Sequence, residues 1–342
     1  MTAVEEIVPT RAATAPGAVS SGAAAATATT AAPAMRRPAV AALVDVEMLR
    51  DDFSALLETP QRDAAWLTRL QGAVAELKLL TQGNPDELLY FLIHACSHRT
   101  EQYSATHAMT CAAVAALVAQ RCEWPAEQIH ALTMAAVTMN ISMTSLQDRL
   151  AEQVDAPSAD DREVIRDHAH ESARVLRAAG VGDELVLAIV EGHHTRAHSV
   201  ELESLDAAQK LSEVLRRVDI YTAKLSRRRQ RAASTPALAA RDSLLGEGGL
   251  PDALGAALLR VLGLYPPGSW VELVNGDIGL VVGRGDRAHT PQVAAVRRED
   301  GGIYPQPMRR NTALRSFAVA RGLRDADMRI SLNHAKVIDC GQ

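Results

Sequence analysis

The feature that most constrains the fold is a series of helical apolar stripes between residues 85 and 262. In several segments, large apolar residues recur three and four positions apart, which is the period of one face of an α-helix. These segments are Asp86 to Ser97, Ser104 to Arg121, Pro125 to Ile141, Asp160 to Ala179, Leu185 to His194 and Leu205 to Ser226, and Pro236 and Pro251 can each begin one more. The chain is 47% hydrophobic but only 3% aromatic, a balance that favours closely packed helices over a sheet sandwich.

The N-terminal residues depart from this pattern. Residues 1–38 consist mainly of Ala, Thr, Ser, Pro and Gly. They offer too little large apolar surface to offset the entropy lost on ordering, which predicts a disordered leader. Residues 39–84 return to the helical period and are interpreted as either a helical hairpin or an N-terminal cap on the domain.

The C-terminal residues change from a helical to a strand-like period after Gly268. Two short apolar runs flank Asn275-Gly276, which is typical of a β-hairpin turn. A second hairpin is predicted from Val293–Val296 and Ile303-Tyr304, and a last strand from Arg329 to Ile338. The sequence therefore predicts a mainly α chain with four parts: a disordered leader (1–38), a helical N-terminal segment (39–84), an all-helical domain (85–263) and a small β-rich C-terminal extension (264–342).

Charge, cysteine usage and hydropathy exclude several classes of protein. The net charge is −5 with both signs mixed throughout, so no field points to nucleic acid or to an anionic membrane as a partner. No apolar run reaches the roughly 18 to 20 residues of a membrane helix, and the acidic start argues against a secretory signal. The four cysteines form no C-x-x-C pair, which is typical of reduced cysteines in a cytoplasmic protein. Because no helix follows Gly283-Arg-Gly-Asp286, it is predicted to be a turn, and no nucleotide cofactor is expected.

Four predicted helices each place a metal-capable side chain on the apolar stripe. In the segment that begins at Leu185, the stripe ends at His193, with a second imidazole beside it. The complete set is His107, His168, His193, His194 and Asp219. Each residue alone is more often a hydrogen-bonded core residue than a ligand. Together, five desolvated polar groups would each cost a few kcal/mol, and one cation can pair with all of them. Imidazole and carboxylate suit one divalent ion of Fe, Mn, Zn or Ni.

The order of these residues resembles the HD-GYP branch of the HD metal-dependent phosphohydrolases, over roughly residues 88 to 296. The matching segments are Tyr103-Ser-Ala-Thr-His107, Asp167-His168, Val190-Glu-Gly-His193-His194, Asp219-Ile-Tyr221-Thr-Ala223 and Leu264-Tyr-Pro-Pro-Gly-Ser269. The resemblance implies a cyclic di-GMP phosphodiesterase with an all-helical core and a site for two or three metals. It also implies that Arg228 and Arg231 lie near the substrate phosphates.

Because of this resemblance, the positions at which the chain differs from the family pattern are informative. Where the family has His-Asp-x-Gly-Lys, this chain has Met139-Asn140-Ile-Ser-Met143. Met139 removes an imidazole and Met143 removes the lysine. Asn140 replaces a metal-bridging carboxylate with a neutral amide, and with it the bridging hydroxide that such centres use as the nucleophile. Thr195 stands where the family has glutamate, and the Gly-Tyr-Pro loop is absent from the sequence that follows Arg196.

Two hypotheses follow for the function. In the first, the chain keeps the HD-GYP-like fold without phosphodiesterase activity and is a regulatory or partner-binding module in bacterial signalling, whose partner is a signalling protein or a cyclic dinucleotide. In the second, the five ligands hold a single metal whose bound water hydrolyses a phosphoester, with Arg228 and Arg231 orienting the phosphate. The losses at Met139 and Asn140 favour the first hypothesis, and the retained ligands favour the second.

Two smaller patterns are interpreted more simply. His94 and His98 form H-x-x-x-H, a helical spacing at which two imidazoles can chelate a metal, but a solvated or packing role is expected for them. The basic run Arg227-Arg-Arg-Gln-Arg231 can bind phosphate, although a charged helix end that faces water is the simpler interpretation.

Overall fold

The computed structural model describes residues 39–60, 65–196, 204–244, 252–328 and 330–341. Its helices before the sheet are α1 (Ala39–Glu58), α2 (Trp66–Gly83), α3 (Pro85–His98), α4 (Tyr103–Arg121), α5 (Ala126–Thr138), α6 (Thr144–Glu152), α7 (Ala159–Ala178), α8 (Glu184–Gly192), α9 (Ala207–Leu225), α10 (Pro236–Leu244) and α11 (Ala253–Leu262). The mainly helical fold is therefore confirmed. The predicted leader, residues 1–38, lies outside the described residues. None of the helices described is both long and apolar enough to span a membrane.

Helix α4 forms the centre of the helical domain. Every residue from Tyr103 to Ala119 is buried, and the helix contacts α1, α2, α3, α5, α6, α9 and α11. Seven of those seventeen buried residues are alanines. Because alanine adds little side-chain volume, neighbouring helices can approach the α4 backbone from several sides at once. This explains why an alanine-rich, aromatic-poor composition suits the fold.

Three of the four helices that carry the predicted ligands, α7, α8 and α9, begin at side-chain caps, whereas α4 begins without one. Ser158 and Asp206 each form a capping box with the third residue of α7 and α9, respectively. At α8, the Asp183 carboxylate accepts hydrogen bonds from the backbone N–H groups of Leu185 and Val186. These caps fix where each helix starts, and therefore which side chains its buried face presents.

The segment after α5 differs from the prediction. A single helix from Pro125 to Ile141 was expected, but α5 ends at Thr138 and a 3₁₀ turn follows over Ile141–Met143. The short helix α6, which the apolar period does not predict, comes next. Its sequence buries only Thr144, Leu150 and Ala151, too few positions to establish a helical stripe.

The C-terminal extension contains a five-stranded antiparallel sheet with the order β4-β3-β2-β1-β5. Its elements are β1 (Trp270–Leu273), β2 (Ile278–Gly283), β3 (Gln292–Arg297), β4 (Ile303–Asn311), β5 (Val319–Gly322) and a final helix α12 (His334–Gly341). Both predicted hairpins are present, and Gly276 has the positive φ, 79°, that the first turn requires. Leu280 on β2 packs into the main core, while Val281 faces a smaller cluster on the opposite side of the sheet.

The prediction of a last strand from Arg329 to Ile338 is wrong, because residues 334–341 are helical. The Asn333 side chain accepts a hydrogen bond from the backbone N–H of Lys336 and so caps α12. Val337 and Ile338 are buried, and a short apolar run of this kind does not distinguish a strand from a buried helix. The sheet instead gains β5, which the sequence did not indicate.

Gly268 holds the C-terminal extension close to α3, and we expect its replacement by alanine to destabilise the protein by about 2 kcal/mol or more. Gly268 has a φ of +89°, and an added Cβ atom would lie 2.5 Å from the carbonyl oxygen of Tyr90. Urea denaturation measures the loss. Gly72→Ala is the matched control, because Gly72 is exposed inside α2 with nothing within 4 Å of an added Cβ. The control should stabilise by roughly 0.5 to 1 kcal/mol; equal unfolding free energies for the two variants would contradict the prediction.

Candidate metal centre

His168, His193 and His194 meet where α7 passes the end of α8, and we call them the three-histidine cluster. His193 follows the last residue of α8 in a helical conformation (φ −67°, ψ −9°), so His194 can turn toward the same point. The Nε2 atom of His168 lies 3.2 Å from Nε2 of His193 and 3.1 Å from Nε2 of His194. His168 and His193 are buried, whereas His194 approaches from the solvent side.

Backbone hydrogen bonds assign the tautomers of the two buried imidazoles. Nδ1 of His168 lies 2.6 Å from the carbonyl oxygen of Ile165, and Nδ1 of His193 lies 2.6 Å from that of Val190. A carbonyl only accepts, so each Nδ1 donates and each neutral ring presents a bare lone pair at Nε2. Metal-ligating histidines commonly donate their other N–H in this way.

Two lone pairs 3.2 Å apart repel one another unless a cation or proton lies between them. Two nitrogens bound to one tetrahedral ion at about 2.0 to 2.1 Å would be about 3.3 to 3.4 Å apart, close to the separation of His168 and His193. Desolvation lowers the pKa of His193 to about 4, and it also lowers the pKa of His168. Both rings are therefore neutral near pH 7, the state in which imidazole binds a metal.

The second part of the centre is the pair formed by His107 on α4 and Asp219 on α9. Nε2 of His107 lies 2.8 Å from Oδ1 of Asp219. Burial by itself raises the pKa of Asp219, but the hydrogen bond from His107 opposes this effect, and the net pKa is lowered. The carboxylate is thus ionised. The structure accordingly places the five predicted ligands in two groups, the three-histidine cluster and the pair of His107 with Asp219.

The two predicted phosphate-binding arginines differ in position. The ring of Tyr103 stacks on His107 at 5.7 Å, and the Arg228 guanidinium lies over Tyr103 and donates to its hydroxyl at 3.1 Å. Arg231 is exposed and donates instead to the backbone carbonyl of Ala223. Of these two arginines, only Arg228 therefore contacts Tyr103, the residue that stacks on His107.

Two buried polar atoms of this second part have no hydrogen-bond partner among the described residues, Nδ1 of His107 and Nε of Arg228. Buried polar groups are normally satisfied, so these two atoms fit a site that takes a polar or ionic ligand. The imidazoles of the three-histidine cluster are the residues that could hold a divalent metal, and His107 and Asp219 form a separate group of metal-capable side chains.

The segment with the main departures packs on α7, the helix that carries His168. Met139 and Met143 are buried, and Asn140 is half-buried at the start of the 3₁₀ turn. Within this turn, the hydroxyl of Ser142 donates to the backbone carbonyl of His168 at 3.0 Å. This segment therefore carries thioethers and an amide where the resemblance would put an imidazole, a carboxylate and an ammonium.

Sequence reasoning missed one residue of the centre. Sγ of Cys111 lies 3.5 Å from Nε2 of His107, one helical turn along α4. Its position on the same apolar stripe as His107 was a usable signal, although a buried cysteine is usually only a small apolar residue. Desolvation raises the pKa of this thiol well above its usual range, so it is protonated near pH 7.

Comparisons with known proteins agree with this architecture. No protein-family model matches the chain. The cyclic di-GMP phosphodiesterase PA4108 of Pseudomonas aeruginosa is 23% identical over 198 residues, which are 57% of this chain and 48% of that protein, so the match spans about half the length of this relative. The solved structure of Bd1817, an HDG"Y"P protein from Bdellovibrio bacteriovorus, matches with a TM-score of 0.50 at 14% identity over 68% of this chain and 73% of that one.

The helical domain therefore shares the fold of this HDG"Y"P protein. The resemblance to the HD-GYP type seen in the sequence motifs is confirmed by these two matches.

Proposed function

We propose that the chain is an HD-GYP-type module of bacterial signalling that holds at most one divalent metal in its HD-type centre and lacks cyclic di-GMP phosphodiesterase activity. Its role is then to regulate or to bind a partner, with a signalling protein or a cyclic dinucleotide as the candidates. The observation that supports the proposal is Asn140, an amide at the position where the resemblance implies a bridging carboxylate. Asn140 begins the 3₁₀ turn that packs on α7.

The physical reason is the repulsion between two adjacent cations. A carboxylate that bridges them offsets this repulsion and gives an oxygen ligand to each. An amide carries no charge and offers one weak oxygen ligand, and the neighbouring Met139 supplies no imidazole. A second ion is therefore not held, and the chemistry of a metal-bridging hydroxide is lost.

The retained ligands support binding of one ion. Nε2 of His168 lies within 3.2 Å of Nε2 of both His193 and His194, and backbone carbonyls fix the tautomers of His168 and His193. Fe, Mn, Zn and Ni all suit this donor set. When bound, such an ion supplies Lewis-acid chemistry to an oxygen ligand. The cysteines of the described residues are free, which supports a reducing, cytoplasmic location.

A second function is favoured by one specific contact. The Arg228 guanidinium is held over Tyr103 with its buried Nε unpartnered among the described residues, so it can donate to a phosphate oxygen. A chain that holds one metal beside such an arginine can be a slow metal-dependent phosphodiesterase. In that case Arg228 binds and orients the phosphate, and His107 holds Asp219 in its ionised form.

The experiment incubates cyclic di-GMP with protein loaded in turn with Fe²⁺, Mn²⁺, Zn²⁺ and Ni²⁺, and separates the nucleotides chromatographically. We expect no linear dinucleotide or GMP above the protein-free reaction. Turnover of about 1 per second or more, an ordinary enzymatic rate, would overturn the non-enzymatic proposal. Slow hydrolysis that is lost in Arg228→Ala but kept in the exposed control Arg231→Ala would establish the second function instead.

A further inference from the structure

A second group of metal-capable side chains lies where α3 meets the C-terminal extension. His94 and His98 are one turn apart on α3, and Asp325 begins a 3₁₀ turn shortly after β5. We call these three residues the junction cluster. One ligand atom from each lies within 4.8 Å of the others. None of the three belongs to the HD-type centre described above.

Asp325 is fixed in position by groups on two other elements. The indole Nε1 of Trp270 donates to its Oδ1 at 2.9 Å, and Nδ1 of His98 lies 2.9 Å from its Oδ2. The carboxylate is 7% exposed, whereas the His98 side chain is 59% exposed. In metal sites, a donor that does not itself bind the ion commonly orients the ligating carboxylate oxygen. The Trp270 indole is such a donor to Asp325, and the accessible His98 imidazole lies beside the same carboxylate.

The buried Nδ1 atom of His94 is not explained by an ion pair between the histidines and Asp325. This atom lies 4.0 Å from Oδ1 of Asp325, too far for a hydrogen bond. That nitrogen is buried and has no partner in the described part of the chain. The His94 ring stacks on the His98 ring, with centroids 5.4 Å apart and an interplanar angle of 13°. A cation among the three residues would satisfy the orphaned nitrogen.

A third imidazole and an open cavity border the junction cluster. The ring centroid of His334 lies 4.7 Å from that of His94, and its Nδ1 is hydrogen-bonded to the Tyr90 hydroxyl at 2.9 Å, which leaves Nε2 as its free ring nitrogen. A cavity of about 380 Å³ is lined by all three cluster residues together with Trp270 and His334. An ion can therefore reach the cluster from solvent and keep a water or the His334 imidazole as a further ligand.

We propose that the junction cluster is a zinc site, with His94, His98 and Asp325 as its protein ligands. Two imidazoles and one carboxylate form a nitrogen-rich donor set that suits Zn²⁺, whereas Mg²⁺ and Ca²⁺ prefer oxygen ligands throughout. The site is independent of the proposed function, since it shares no ligand with the three-histidine cluster.

The positions of the ligands give this site a structural consequence. Two ligands lie on α3 of the helical domain, and the third lies 227 residues later, beyond the last strand of the sheet. Bound zinc ties the segment after β5 to the helical domain. The expected effect is slower exchange of the backbone amides around Asp325 and along α12 when zinc is present.

The test measures zinc in the full chain after dialysis against a Zn²⁺ buffer, by elemental mass spectrometry. The variants are His98→Gln, which changes an exposed side chain, and Asp325→Asn, which keeps an oxygen acceptor for Trp270. We expect each to lower the zinc content by one ion per chain, with at least a tenfold weaker affinity. His130→Gln is the matched control, because His130 is an exposed histidine on α5; its zinc content should equal that of the wild type.

Hydrogen exchange followed by mass spectrometry supplies a second readout. Zinc should slow amide exchange over residues 323–328 and 334–341 in the wild type and in His130→Gln, but not in His98→Gln. The proposal is overturned if His98→Gln and Asp325→Asn both retain the zinc content of the wild type. It is also overturned if zinc protects these amides equally in His98→Gln, because the protection would then come from another site.

Discussion

Replacing His193 with alanine should remove the metal from the HD-type centre and lower the metal content of the protein by one ion per chain. His193 is fully buried, and its Nδ1 is committed to the Val190 carbonyl, so its Nε2 is oriented toward the other two rings before any ion binds. Removing one of three converging ligands also leaves His168 without the neighbour 3.2 Å away. We expect an affinity loss of at least 10- to 100-fold, the size that even an outer-shell change produces.

The measurement is metal content and affinity for Zn²⁺ and Mn²⁺ in the His98→Gln background, where the junction cluster does not contribute. His170→Ala is the matched control. His170 lies on α7 near His168, but its side chain is 73% exposed and pairs with Glu191 on the surface. At 100 times the dissociation constant, bound metal should stabilise the parent by about 2.7 kcal/mol and raise Tm by roughly 5 to 10 °C. Equal content and equal Tm shifts in His193→Ala would show that the three histidines do not hold the ion.

The ligand-bearing helices were predictable because each follows a regular apolar period. Asp183, Ser158 and Asp206 also cap α8, α7 and α9, and His107 and His168 occupy buried positions on their helices. A polar side chain on an apolar helical stripe must find a polar partner in the core. The sequence could therefore group His107, His168 and Asp219 without knowing how the helices pack.

The rest depended on contacts that no local pattern encodes. Asp325 meets His98 across 227 residues, and nothing near Asp325 in the sequence indicates that it is buried. Whether Arg228 or Arg231 reaches the centre depends on the direction of the chain after α9, which brings only Arg228 over Tyr103. The strand predicted near Ile338 is a helix for a related reason. Apolar residues of this segment can be buried in either conformation, so their burial does not distinguish a strand from a helix.

Restoring the family pair, with the double substitution Met139→His and Asn140→Asp, should raise the metal content of the HD-type centre from one ion toward two. The new carboxylate would offset the repulsion between two ions, and the new imidazole would add a nitrogen ligand. Some hydrolysis of cyclic di-GMP should accompany the second ion, because two ions would activate a water more strongly than one. Met143, Thr195 and the absence of the Gly-Tyr-Pro loop remain, so the rate should stay below that of an ordinary enzyme.

The control variants distinguish a restored second metal site from a disrupted hydrophobic core. Met139 is 1% exposed, and placing an imidazole there without a metal buries an unpaired polar group at a cost of about 1 to 3 kcal/mol. Met139→Leu conserves the volume and should change neither metal content nor activity. Asn140→Asp alone changes a half-buried residue and should fold, so it tests the bridging charge even if the double variant does not. If Asn140→Asp and the double variant both bind no more metal than the wild type, the missing carboxylate is not what limits the centre to one ion.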